Sequence, residues 1–167
     1  MNEVFHNTDD IVEVTDAWIE RLKATAEASS LKRARLCLHR SSEDQVHEMI
    51  IALRKEILFR PHRHPNKSES FHMIEGHLFV LVFNDDGTVR KHVEMGPIGS
   101  SRVSCYRLCI PQWHAIIPIS DVVVFHESTA GPFVAGDAVF ADWAPTEQPE
   151  LRAFLNDHLQ RATAGSN

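Results

Sequence analysis

The spacing of apolar residues changes twice along the chain, from helical to alternating near residue 33 and back to helical near residue 146. In the first part, four apolar residues recur at intervals of three and four: Trp18, Ile19, Leu22 and Ala26. This spacing predicts a helix that Thr15 or Asp16 caps and that ends near Ser29. A short strand is predicted before it, at 12–14.

In the middle of the chain, apolar and polar residues alternate in short segments, and turn residues separate these segments. This pattern predicts strands. The predicted strands are 34–39, 46–53, 56–61, 70–75, 77–83, 88–95, 104–110, 113–118 and 121–127. Asp86-Gly87 gives the strongest hairpin turn. The segment from Leu78 to Phe83 is apolar on both faces. This favours a closed or double-sheet antiparallel structure over an open sheet with one wet face.

Composition excludes several functions. The chain has 43% hydrophobic residues, a net charge of −6 and no dense cluster of Lys and Arg, so we expect no nucleic-acid partner. Residues 1–10 are polar, unlike a signal peptide, and no run is long enough to span a membrane. We therefore expect a cytoplasmic protein with no membrane partner. The cysteines, Cys37, Cys105 and Cys109, form no CxxC motif and are expected to be reduced and buried.

The stretch from Arg60 to Glu69 has the spacing of metal ligands. His62 and His64 are two residues apart, so on a strand their side chains leave the same face about 6.6 Å apart at their roots. Both imidazoles can then reach one ion. The loop that follows is expected to bring Glu69 back as an anionic third ligand.

A second segment, 110–114, places a further histidine, His114, shortly after Pro111. Three imidazoles and one carboxylate suit a divalent transition metal: Fe, Mn, Ni, Co or Zn. Four protein ligands leave up to two coordination positions open on an ion that accepts six. Open positions distinguish a catalytic metal from a structural one.

These motifs resemble a known superfamily. The pattern His62-x-His64-x4-Glu69-x6-Gly76 resembles the first cupin motif, and Pro111 with His114 resembles a shortened second one. In the usual second motif, glycine precedes histidine and asparagine follows it, whereas Trp113 and Pro118 stand here. Four stretches are similar to the WbuC family of small cupin-fold metalloproteins: 33–39, 62–76, 110–114 and 140–147.

The resemblance implies a mainly β, jelly-roll β-barrel with the metal in its mouth and His62, His64, Glu69 and His114 as ligands. WbuC family members occur among surface-polysaccharide biosynthesis genes. With the changes of period, the resemblance divides the chain into three predicted parts. They are a strand and helix arm at 1–32, a cupin barrel at 33–145, and a helix capped by Thr146 with a tail that frays from Ala162, at 146–167.

Two further site residues are predicted with less support from spacing. Glu127, on a late strand that can reach the barrel mouth, is a candidate general base or partner of a metal ligand. Arg60 has the strand parity of His62, so it either binds an anionic substrate group or pairs with Glu56. Arg33 and Arg35 are expected to be surface charges of an edge strand or of a subunit contact.

The remaining histidines have no ligand spacing and are expected to be surface or hydrogen-bonded core residues: His39, His47, His72, His77, His92 and His126. The sequence thus predicts a metal-dependent enzyme on a polar small molecule, with a sugar or sugar nucleotide suggested by the family context. A non-catalytic, metal-dependent binding or sensing protein is the alternative, and a purely structural metal is a third. Trp18 and the early strands suggest a homodimer.

Overall fold

The computed structural model describes residues 3–164, which form two helices and eleven strands. The helices are α1 (Asp16–Ala28) and α2 (Gln148–Ala164). The strands are β1 (Val4–His6), β2 (Arg33–Cys37), β3 (Val46–Arg54), β4 (His62–Arg63), β5 (Glu69–Glu75), β6 (Leu78–Phe83), β7 (Val89–Met95), β8 (Cys105–Leu108), β9 (Trp113–Pro118), β10 (Val122–Ala130) and β11 (Val139–Phe140).

The strands form two sheets. The larger sheet has the order β1-β2-β3-β10-β5-β8, and the smaller has the order β11-β4-β9-β6-β7. Neighbouring strands pair antiparallel except β1 and β2, which are parallel. The predicted mainly β, jelly-roll fold is confirmed, although within residues 3–164 the two sheets do not close into one hydrogen-bonded barrel.

A core of apolar side chains fills the space between the sheets. Its buried members include Leu53, Phe71 and Phe125 from the larger sheet and Leu78, Val80 and Ile116 from the smaller. Full burial of each such side chain stabilises the fold by about 1.5–3 kcal/mol. This core fixes the distance between the sheets and therefore the place where side chains from both can meet.

The helices cover the outer faces of the sheets. Leu22 of α1 packs with Leu36 on the larger sheet, and Leu155 of α2 packs with Phe83 on the smaller. Strand β6 is buried along its whole length because one of its faces meets the core and the other meets α2. This explains its apolar residues on both faces. Neither helix within residues 3–164 is long and apolar enough to cross a membrane.

The structure corrects several local predictions. The N-terminal strand is β1, not 12–14, which contains no strand. Residues 56–61 are also not a strand; β4 follows them and is only two residues long. Helix α2 continues to residue 164, beyond the predicted start of fraying at Ala162, and residues 165–167 lie outside the described part. The division into three parts stays a prediction.

The cysteines differ in burial. Cys37 is buried, as expected, whereas Cys105 and Cys109 are exposed, so the prediction of burial is wrong for those two. Both lie on or beside β8, which is the edge strand of the larger sheet and has no neighbour beyond it in the described chain. All three thiols are free.

Candidate metal centre

Two short strands of the smaller sheet bring the first two imidazoles together. His62 on β4 is the register partner of His114 on β9, and their ring centroids are 4.4 Å apart. His64 follows β4 directly, and its ring centroid lies 5.2 Å from that of His62 and 5.9 Å from that of His114. The candidate ligand nitrogens of the three rings all lie within 4.8 Å of one another, so the group could hold a metal ion.

Backbone carbonyls fix the orientation of two of these rings. Nδ1 of His62 lies 3.0 Å from the carbonyl oxygen of Arg60, and Nδ1 of His114 lies 3.0 Å from that of Gln112. Because a carbonyl oxygen only accepts, each Nδ1 carries the proton and donates. The lone pair is then on Nε2, the nitrogen left for a metal. Such hydrogen bonds commonly orient metal-binding histidines.

Glu69 reaches the same place from the opposite sheet. It begins β5, and only 5% of its surface is exposed. Its Oε1 lies 2.9 Å from Nε2 of His114, and its Oε2 lies 3.8 Å from Nε2 of His64. The contact with His114 is short but lacks the geometry of a hydrogen bond, so Oε1 is buried without a hydrogen-bond partner in the described chain. We name these four residues, His62, His64, Glu69 and His114, the cage.

A buried carboxylate oxygen without a hydrogen bond is costly, and a bound cation would compensate it. The donors of the cage also match a divalent transition metal, because three imidazoles and a carboxylate are ligands of intermediate softness. The residues present therefore fit the metal that the sequence implies.

The charges of the cage favour lone-pair donation. Burial lowers the pKa of His62 to about 4, with a contribution from nearby His114, and burial also lowers the pKa of His64. Burial alone would raise the pKa of Glu69, but the contact with His114 and the other two imidazoles hold it below its usual value. Two neutral imidazoles and a carboxylate anion are thus available at neutral pH.

His114 behaves differently from the other two imidazoles. Burial would lower its pKa, but the adjacent carboxylate of Glu69 outweighs this effect and raises the pKa above the usual value. In the metal-free protein, the Glu69 carboxylate thus favours the protonated form of His114. Metal binding would release that proton, which is the usual coupling between metal affinity and pH.

Glu127 lies on β10 beside the cage. It is partly buried and pairs in register with Met49 of β3 and Phe71 of β5, the strand that carries Glu69. Burial, and secondly the negative charge of Glu69, raise the pKa of Glu127 to about 8. The side chain lines a cavity of about 450 Å³ into which His64 also projects. The structure thus places this predicted residue beside the cage.

Arg60 occupies a different position. Its guanidinium donates to the carbonyl oxygens of Ala141 at 2.7 Å and Ala144 at 3.3 Å. The ion pair with Glu56 does not form within residues 3–164; the Glu56 carboxylate lies 3.7 Å from Nε of Arg54 instead. Arg60 lines a second cavity of about 650 Å³, together with His62. Its role in binding substrate stays a prediction.

The sequence interpretation placed Arg35 on the surface of an edge strand. The residue is exposed, as expected, but β2 lies between β1 and β3, and the sequence interpretation missed that Arg35 lines a cavity. Its neighbours on β2, Ala34 and Leu36, belong to the cluster under α1, so Arg35 extends from the opposite face of the strand. There it lines the same 450 Å³ cavity as Glu127 and His64. The alternation of β2 contains this signal, because once α1 covers one face, the other must point between the sheets.

Most histidines outside the cage have the simple surroundings expected of them. His72 is exposed, and His126 lies 3.5 Å from Glu48. His77 differs, because its Nε2 lies 3.1 Å from Glu94 but is buried without a hydrogen bond in the described chain. His39 and His47 stack with ring centroids 4.0 Å apart. Among residues 3–164, the cage histidines form the only group of three or more potential ligands close enough to share an ion.

Comparison with known proteins establishes the fold and leaves the activity open. A family profile describing a domain of unknown function, DUF6016, matches residues 14–95. The sequence has no significant match among curated proteins. Many solved structures are similar, and they include cupin-fold proteins.

Three of these structures illustrate the likeness. Protein SO0799 of Shewanella oneidensis is 12% identical with a TM-score of 0.54, over 77% of this chain and 81% of that chain. Protein TT1209 of Thermus thermophilus is 17% identical with a TM-score of 0.51, over 71% and 97%. The capsular polysaccharide assembling protein CapF of Staphylococcus aureus is 17% identical with a TM-score of 0.47, over 59% and 27%. The chain thus spans about a quarter of the CapF chain. At these identities, the likeness to SO0799 and TT1209 establishes a shared fold alone.

Proposed function

We propose that this chain is a metal-dependent enzyme of the cupin fold that acts on a polar small molecule. The cage residues His62, His64, Glu69 and His114 would bind one divalent ion of Fe, Mn, Ni, Co or Zn. One observation carries the proposal: the ligand nitrogens of three imidazoles lie within 4.8 Å of one another, beside a buried carboxylate oxygen that has no hydrogen bond within residues 3–164. With four protein ligands, up to two positions remain for substrate or water.

A bound divalent ion would polarise a carbonyl or hydroxyl group, or activate water or dioxygen. The chain's own residues would do the rest. The carbonyls of Arg60 and Gln112 hold two imidazoles with Nε2 toward the centre. Glu127, whose pKa is raised to about 8, holds a proton at its carboxyl near neutral pH and can exchange it with a ligand in the cavity.

A non-catalytic binding or sensing protein is the alternative, and the lining of the cavity supports catalysis over it. A site for binding alone needs shape and apolar walls, whereas this cavity places an ionisable carboxyl, Glu127, beside His64 of the cage. The Glu127 carboxyl would exchange a proton with a ligand that the metal polarises. A purely structural metal is the weakest of the three, since the core between the sheets does not need one.

We further infer membership of the WbuC family and a cytoplasmic role in surface-polysaccharide metabolism, on a sugar or sugar nucleotide. The four WbuC-like stretches support this inference, and two of them, 62–76 and 110–114, contain the cage. A homodimer is part of the proposal. Trp18 and the early strands, with β1 last in the order of the larger sheet within residues 3–164, are the surface that we expect a second copy to contact.

Elemental analysis of protein purified without added metal tests the proposal. The wild type should contain close to one equivalent of a divalent transition metal. His62→Ala should lose most of it, because the variant removes a ligand whose Nε2 points to the centre. His72→Ala is the matched control, since His72 is exposed on β5 and away from the cage. Full metal content in His62→Ala would refute the proposed ligand set.

A further inference from the structure

We propose that the 450 Å³ cavity beside the cage binds a small molecule bearing a carboxylate or phosphate group, and that Arg35 holds this anionic group. The inference deepens the proposed function and rests on it in one respect, namely that the ligand's other end reaches the metal. It assigns to Arg35 the part of anion anchor that the sequence suggested for Arg60.

The position of Arg35 is the first argument. Strands β2, β3 and β10 are consecutive in the larger sheet, and they place Arg35, Met49 and Glu127 around one cavity. His64 enters the same cavity from the other sheet. A ligand in this space would therefore have the cage at one side and the Arg35 guanidinium at another.

The free guanidinium of Arg35 is the second argument. Among residues 3–164, its side chain forms no ion pair and no hydrogen bond, whereas Arg40 pairs with Asp10 and Arg54 lies 2.9 Å from Glu27. The backbone N–H of Arg35 donates to the carbonyl of Glu3, and the side chain acts on Glu127 in the same cavity through its charge, without an ion pair. The planar fork of donors is thus available, and it matches a carboxylate or phosphate in two parallel hydrogen bonds.

The other cation in the cavity is already neutralised. Nζ of Lys67 lies 2.9 Å from Asp137 and donates to the carbonyl of Pro132 at 2.8 Å. These contacts fasten the segment 132–137, which forms part of the cavity wall. Lys67 therefore stabilises the cavity wall, and Arg35 remains as the cation that can bind an anionic ligand.

The volume of the cavity limits the ligand to a small molecule. Sites for such ligands usually measure about 300–1,000 Å³. Most of the residues that line the cavity are polar, and Met49 and Phe133 add apolar surface between them. This arrangement suits a ligand with one anionic end at Arg35 and one hydroxyl or carbonyl end at the cage.

Anion binding to the full-length chain tests the inference. Inorganic phosphate, malonate and, as a neutral control, glucose are titrated by calorimetry into protein dialysed against EDTA. Phosphate or malonate should bind, and whichever binds more tightly identifies the anionic group. Arg35→Gln should weaken that binding by about tenfold or more, because it removes a charge-assisted contact. Arg35→Lys should show an intermediate loss, because it keeps the charge without the fork.

Arg33→Gln is the matched control. Arg33 lies on the same strand and is exposed, but it lines the other cavity. Equal weakening by Arg33→Gln, undiminished binding in Arg35→Gln, or no binding of either anion would overturn the inference. A melting temperature within a few degrees of wild type shows that Arg35→Gln is folded, and Arg35→Lys gives a second test if it is not.

The same titrations separate this inference from the proposed function. Because they use metal-free protein, anion binding that depends on Arg35 is measured whether or not the cage holds a metal. Repeating them after adding Ni²⁺ tests the shared site. Tighter malonate binding in the loaded wild type, lost in His62→Ala, supports a ligand that spans Arg35 and the cage. Equal affinity with and without Ni²⁺ would overturn that arrangement.

Discussion

At the scale of single residues, Glu127 is a carboxyl placed where its charged form is disfavoured. Burial and the neighbouring Glu69 raise its pKa from 4.5 to about 8, against the weaker opposing effects of Arg35 and His114. Between these two pH values, the metal-free native protein keeps a proton that the unfolded chain releases. The native state thus binds more protons, so the contribution of Glu127 to stability falls as pH rises through this window.

We predict that Glu127→Gln stabilises the metal-free protein in a pH-dependent way. Below pH 4.5 the variant should match the wild type, because the carboxyl is neutral in both states. The difference in free energy of unfolding between the variant and the wild type should grow up to about pH 8. It should then level off, at an order of a few kcal/mol. Urea unfolding in EDTA at several pH values measures this. Glu13→Gln, at an exposed position, should show no such trend, and a constant offset for Glu127→Gln would contradict the prediction.

The sequence predicted the cage better than the cavity around it, for a physical reason. His62, His64 and Glu69 lie within one short stretch, where local spacing constrains which side chains can converge. The contacts of Arg60 with Ala141 and Ala144 join segments far apart in sequence, and no local pattern encodes them. The same holds for Arg35, whose direction is decided by the packing of α1 on the other face of β2.

At the scale of elements, long periodic segments were predicted correctly and short ones were not. Strand β6 and helix α1 each have enough apolar positions to show their period. Strands β4 and β11 have only two residues each and pair with one another, so neither shows any alternation. Residues 56–61 contain apolar side chains at strand spacing, but they pack without sheet hydrogen bonds. The apolar residues of this segment are there because they pack against the rest of the protein, and they do not indicate a strand.

The turn between β5 and β6 depends on Gly76, which has φ of +83°. A Cβ at this position would lie 2.5 Å from the carbonyl oxygen of Val122. We therefore predict that Gly76→Ala lowers the free energy of unfolding by about 3 kcal/mol or more, because backbone strain and a steric clash add. The turn follows β5, so the register of the strand carrying Glu69 depends on it.

Gly99→Ala separates the two causes. Gly99 has a similar φ of +88°, but nothing lies within 4 Å of where its Cβ would be. The free energy of unfolding of this variant should fall only by the cost of the backbone conformation, about 1–2 kcal/mol. Urea unfolding of both variants gives the comparison. Equal losses would show that the contact with Val122 relaxes and that backbone strain alone makes glycine necessary at position 76.

At the scale of the whole molecule, the cage joins the two sheets. His62 and His114 belong to β4 and β9 of the smaller sheet, whereas Glu69 begins β5 of the larger one. The apolar core holds the sheets together elsewhere, but at this end Oε1 of Glu69 is buried without a hydrogen bond from the described part of the chain. An ion bound by residues of both sheets would compensate the cost of burying this oxygen and would connect the two sheets.

We therefore predict that the metal stabilises the folded chain and that Glu69 is needed for the full effect. A divalent metal at about one hundred times its dissociation constant should stabilise the wild type by about 2.7 kcal/mol. This corresponds to a rise in Tm of roughly 5–11 °C, which EDTA should reverse. Glu69→Gln keeps the side chain's size but loses the anion, so its rise should be much smaller at the same metal concentration. Glu75→Gln, on the same strand but with its carboxylate 2.9 Å from Lys23, should keep the full rise. Equal rises in the wild type and Glu69→Gln, measured by calorimetry, would show that the ion is held by the smaller sheet alone and does not join the two.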